Sequence, residues 1–205
     1  MSPRTPLVDS RAYFESRSRP LASALGVFSI YVLIEFAAVV WLAFWLLGRA
    51  EDLPQAAYQA MWGLIPGMFV GYIVVVILAI SVVTVIMHYW GSAGKDGSLS
   101  HTLAVAGWSY APNLLAVPIS LAWTRYDLRT LTIDGSDPAT FQAEIDRISQ
   151  DITGVVDFGI ELVVIGWSVV ILAHGVAAIH DVDTSQTWPP AILIGIGALL
   201  LSLVF

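Results

Sequence analysis

The sequence predicts an all-α integral membrane protein: a bundle of five transmembrane helices with amphipathic interfacial helices. Three observations carry that prediction. Hydrophobic residues make up 57% of the 205 residues and charged residues 12%, about half the charged share of a soluble domain. Mean hydropathy is +0.77. The apolar residues form continuous runs, whereas a membrane barrel needs strict alternation, so strands are not expected. The absence of cysteine excludes a disulfide scaffold, a thiol nucleophile, a c-type haem and a thiolate metal centre. A formal charge of −7 argues against a nucleic-acid partner.

A crossing helix needs about 20 mostly apolar residues. Residues 1–20 form an N-terminal segment and 21–205 the membrane domain, with spans at 21–47, 60–87, 99–124, 155–179 and 190–205. In the N-terminal segment Asp9 or Ser10 is placed to cap a short helix. Tyr13 and Phe14 beside arginines suit the headgroup layer. The first span is too long for a signal peptide and lacks a small-residue cleavage site, so it is expected to be retained. The second contains Pro66, which removes a backbone donor and predicts a kink. Pro112 and Pro118 interrupt the third. After it comes a long acidic loop, in which Asp137 and Pro138 start an amphipathic helix with Phe141, Ile145, Ile148 and Ile152 on one face. The fifth span is sixteen residues long, about 24 Å, short enough to require an upright helix or a locally thinned bilayer.

Orientation follows from Lys and Arg near the span ends. Counting from Arg4, Arg11, Arg17 and Arg19 onward, one side carries five basic residues and the other four. The first segment usually dominates, so the N-terminus is expected in the cytoplasm, the C-terminus outside, and the chain in the cell membrane. One Lys against eight Arg, at pI 4.8, fits a salt-adapted prokaryote or plain compositional drift.

Few residues offer chemistry. Glu35 lies near the middle of the first span, where a carboxylate costs about 3 kcal/mol on insertion scales. It must face the bundle, as a proton or ion site or as one end of an interhelical hydrogen bond. Asp157 and Glu161 are four apart and share a helix face. With Glu35 and His174 they form the candidate intramembrane polar site. The histidines His88, His101, His174 and His180 gather toward one side, but His174 and His180 are six apart, off the three-or-four spacing that would put both on one helix face, so no metal is expected. Gly63, Gly67 and Gly71 form a ridge at four-residue spacing, which lets another membrane helix approach closely. No catalytic motif of the hydrolase, metalloprotease or phosphate-loop kinds appears, and no cofactor is expected.

The stretch GKDGSLSHTLAVAGWSYAPNLLAVP, residues 94–118, resembles the core of the Yip-domain family, five-span membrane proteins named for interacting with Ypt/Rab GTPases. The matching positions are Gly94, Gly97, Ser98, Gly107, Trp108, Ser109, Tyr110 and Pro112. The C-terminal stretch from Ile165 is similar to the family's fourth span, polar turn and short last span. DSRAYFESRSRPLA resembles the entry segment of prokaryotic members. The resemblance implies a five-helix bundle with the N-terminus inside. Eukaryotic members act in traffic between endoplasmic reticulum and Golgi and associate with one another. The long acidic third loop departs from the pattern, so GTPase binding is not carried over, and no catalytic residues come with the family. The expected function is a non-enzymatic, membrane-organising or partner-binding scaffold, with the lipid bilayer and either a second copy or other membrane proteins as partners. The alternative is a small ion or solute transporter using the intramembrane carboxylates.

Overall fold

A computed structural model of the chain describes residues 5–16, 20–51, 55–91, 97–134, 140, 143–144, 146–147 and 154–202. It is 85% helical. The helices are α1 (Ser10–Glu15), α2 (Leu21–Leu47), α3 (Gln55–Tyr89), α4 (Leu99–Trp108), α5 (Ala111–Asp127), α6 (Val155–His180) and α7 (Thr184–Ser202). Four stretches are long and apolar enough to cross a membrane: Leu21–Leu47, Tyr58–Tyr89, Val156–His180 and Thr184–Ser202. Of the amphipathic helix expected around Asp137–Ile152, residues 140, 143–144 and 146–147 are helical and the others lie outside the described residues.

α1 begins where the sequence placed its cap: the Asp9 carboxylate accepts from the Ala12 N–H at 3.0 Å. Its aromatic residues do not face outward as expected. Tyr13 and Phe14 are buried in the main core with Ala24, Val105, Trp108 and Val176, and α1 packs on α6. The Trp167 indole donates to the Leu7 carbonyl at 3.0 Å. The two aromatics find more partner atoms between helices than at a surface, and lipid offers little competing attraction.

The expected third span is two helices. α4 ends at Trp108 and α5 begins at Ala111, with Pro112 in its first turn. The cause is local. Proline lacks an N–H and its ring collides with the carbonyl four residues back, which here is that of Trp108. Pro118 sits inside α5, and α3 runs unbroken through Pro66.

The last helix starts earlier than its apolar run. A left-handed Asp181 (φ 50°, ψ 49°) ends α6, and Thr184 opens α7. The polar turn Thr184–Thr187 is helical: Asp183 accepts from the Ser185 N–H at its start, and the Thr187 hydroxyl donates to the Ala173 carbonyl of α6 at 2.8 Å. At nineteen residues α7 is about 28 Å long, near the thickness of a bilayer core, so no thinning is required.

Strands do occur, contrary to expectation, among the described residues as two short pieces outside the apolar helices. β1 (Ala50–Glu51), following α2, pairs in parallel with β2 (Ile133–Asp134), following α5. The Arg49 guanidinium stacks on Trp45 and donates to the Arg129 carbonyl at 2.7 Å. This pairing brings the exits of α2 and α5 together.

Candidate functional site

The break between α4 and α5 organises the middle of the bundle. Gly107 lets α4 approach α2: a Cβ there would stand 3.2 Å from the Ala24 carbonyl oxygen. Trp108 donates to the Ser23 hydroxyl at 3.3 Å and meets Tyr13 edge-on at 5.4 Å. Asn113 N–H bonds the Tyr110 carbonyl rather than that of Ser109. The Ser109 carbonyl is satisfied instead by the Ser168 hydroxyl of α6, at 2.6 Å. A buried carbonyl left bare would cost several kcal/mol in lipid, roughly, and this bond avoids that cost at Ser109. The Gly107-Trp108-Ser109-x-x-Pro112 pattern thus coincides with the break between α4 and α5.

Beside the break lies a cavity of about 450 Å³, walled by α2, α5, α6 and α7. Glu35, Asp157 and Glu161 all line it, so the structure brings together three of the four polar residues singled out in the sequence. All three are half-buried. None has a hydrogen bond or ion pair among the described residues, and no Lys, Arg or His lines the cavity. His174 is elsewhere. It bonds the Val170 carbonyl of its own helix at 3.0 Å, meets Trp188 edge-on, and lies thirteen residues along α6 from Glu161, roughly 20 Å.

Other polar groups of the cavity escaped the sequence reading. Tyr31 stands one helical turn from Glu35, a spacing that marks a shared face, and its ring contacts Tyr110 at 5.2 Å. Asn113, Ser120 and Thr124 complete a polar line along α5, at intervals of seven and four residues that the sequence did display. Thr124 is 8% exposed, and its hydroxyl has no partner among the described residues.

At the opposite end a second polar cluster joins three helices. The Thr102 hydroxyl contacts His88 Nδ1 at 3.2 Å and His180 Nε2 at 2.9 Å. Thr102 and His180 are fully buried or nearly so. Gly97 lies on the His180 imidazole, where a Cβ would overlap the ring. Ser98, next to it, caps α4 by position, and its hydroxyl contacts that of Ser100 at 2.6 Å. Among the described residues no three His, Asp or Glu side chains are placed to hold one metal ion. The ridge Gly63, Gly67 and Gly71 faces away from the bundle: a Cβ at any of the three would meet nothing within 4 Å.

Long apolar helices, a broken helix sealed from within and a broad apolar exterior define a multi-pass helical membrane protein. The chain belongs to the Yip1-domain family: the Yip1 domain model matches residues 6–205. A search of the curated proteins and one of the solved structures returned no match.

Proposed function

We propose that this Yip1-family protein is a non-enzymatic membrane scaffold that crosses the cell membrane five times and engages a second copy or another membrane protein. One observation carries the reading. The Gly63, Gly67 and Gly71 ridge is a close-approach surface that the chain's own fold leaves open. In lipid, small-residue stripes gain their stabilisation by admitting another helix. Five passes agree with the parallel pairing of β1 and β2, since α2 and α5 then run toward one side with α3 between them. The charge bias of the first segment puts the N-terminus in the cytoplasm and the C-terminus outside.

Single-cysteine variants test the scaffold reading directly, because the natural chain has no cysteine. Gly63→Cys, Gly67→Cys and Gly71→Cys in native membranes should each give a bismaleimide-linked adduct. Val163→Cys, 67% exposed on α6, should give none. Equal, background-level linkage at all four positions overturns the reading.

The second reading, small ion or solute transport, is favoured by Glu35, Asp157 and Glu161 lining one cavity. It predicts a proteoliposome flux that Glu35→Gln and Glu161→Gln abolish. An unchanged flux in those variants, or none in the wild type, removes it.

A further inference from the structure

The cavity presents a chemical imbalance. Three carboxylates line a space walled mainly by aliphatic side chains, with no cationic residue on its lining among the described residues. Asp157 sits in the first turn of α6, while Glu35 is twelve residues from the end of α2. The acids are therefore strung along the cavity. Their spacing explains why no three of them can ligate one ion among the described residues.

A charge in such a place needs a partner, because ionisable groups at membrane depth are costly unless paired or wet. The described residues supply none. Thr124 adds an independent sign: it is 92% buried by its 8% exposure, lines the same cavity and makes no hydrogen bond among the described residues. A threonine in a helix ordinarily satisfies its hydroxyl on the carbonyl of the preceding turn. Thr84 of this chain does so, at 2.7 Å from the Ile80 carbonyl. Thr124 lines the cavity that the acids line.

We propose that the cavity is a binding site for an organic ammonium ion with a compact apolar body. The volume of about 450 Å³ falls in the range of small-ligand pockets, about 300–1,000 Å³. The ammonium donates to Glu161 or Glu35, and the Thr124 hydroxyl is free to donate or accept beside it. Tyr31 and Tyr110, in ring contact with each other, offer aromatic faces near Glu35 that favour a cation. The apolar body lies against Leu121, Ile165 and Leu172. A dispersed set of acids suits an extended organic cation better than a metal ion, which demands a compact oxygen cage. The ammonium has two sources, a free amine or the headgroup of an aminophospholipid. Binding of this kind requires neither flux nor a protein partner, so its test is separate from both readings above.

The test uses the full chain in phosphatidylcholine nanodiscs, with phenethylammonium as probe and calorimetric titration as readout. Wild-type protein should bind one equivalent saturably, and the neutral 3-phenylpropanol should not. Glu161→Gln and Glu35→Gln should each weaken binding tenfold or more, and Thr124→Val by a smaller factor, with thermal unfolding retained. Should Glu35→Gln fail to fold, Glu161→Gln and Thr124→Val still decide. Repeating the titration in phosphatidylethanolamine discs separates the sources. A tenfold rise in apparent Kd identifies the lipid headgroup, and an unchanged Kd identifies a free amine. Absence of saturable binding to wild type overturns the proposal. So does equal affinity in the Gln variants, or equal affinity for the alcohol.

Discussion

The two halves of α6 are built on opposite plans. From Ile171 to Ala177 nearly every side chain is fully buried, and many are small: Ala173, Gly175 and Ala177 sit against α1, α4 and α7. A Cβ added at Gly175 would stand 2.6 Å from Val105 Cγ1. From Asp157 to Val164 the same helix carries two acids and lines open space. In water the second half would be the weaker design, since apolar burial dominates folding there. In lipid that driving force between helices is absent, and close packing with internal hydrogen bonds takes its place. One half therefore holds the bundle together, and the other is free to keep a cavity with carboxylates that have no partner among the described residues.

Truncations on the two sides break or sharpen this contrast most strongly. Trp108→Ala removes a side chain 7% exposed, its edge contact with Tyr13 and its bond to Ser23. The expected loss is about 3 kcal/mol, at the low end for a buried aromatic because the unfolded reference is also in lipid. Leu42→Ala, at the cavity wall, deletes atoms that already face space and should cost under about 1 kcal/mol. Reversible unfolding in mixed micelles measures both. Equal losses would show that the packed half is no more tightly specified than the other.

The glycines give the next largest effect. Gly97→Ala drives a methyl into the His180 ring, which is held by Thr102. Overpacking of this kind costs about 1–3 kcal/mol. Gly67→Ala, with open space around it, should be neutral or stabilising by about 0.5–1 kcal/mol in dispersed protein, since alanine loses less backbone entropy in a helix. If both substitutions act alike in the same unfolding assay, Gly97 is not a packing position.

These particular residues show what the sequence could and could not reveal. The span of α2 was legible to the residue, and α3 and α6 nearly so, because continuous apolarity reports directly on lipid as solvent. The start of α7 was hidden: Thr184–Thr187 is polar, its bond to α6 is a tertiary contact, and the Asp183 cap before it stands outside the apolar run. The fate of Tyr13 and Phe14 was hidden for the same reason, since burial against α6 is a tertiary fact that a short amphipathic segment does not encode. Prolines were visible, yet Pro112 ends a helix while Pro66 does not. The break at Pro112 comes with a contact the local sequence does not show: the hydroxyl of Ser168, fifty-nine residues from Ser109, donates to the Ser109 carbonyl. Of the polar site, the acids stood out because charges are rare in apolar runs. Thr124 and Asn113 did not, because neutral hydroxyls and amides are common in membrane helices. His174 looked like the acids in sequence, but its position along α6 separates it from them.

The smallest effect concerns the turn that joins α6 to α7 at the packed end. Asp183 accepts from the Ser185 N–H at 2.8 Å. Hydrogen bonds from the Ser185 side chain and backbone hold its carboxyl below the ordinary value of 3.8. A carboxyl depressed on folding contributes stability that is complete above its unfolded pKa and disappears as pH falls through the lower folded one. Asp183 is fully exposed, so the contribution is screened and small. Asp183→Asn keeps the cap but loses the charge. Its melting temperature should lie slightly below wild type at pH 7, and the gap should close as pH drops below 3.8. Raising salt at pH 7 should narrow the gap as well. A gap that widens on acidification would show that Asp183 is strained by its surroundings rather than stabilised by them, and that the turn, not the charge, sets where α7 begins.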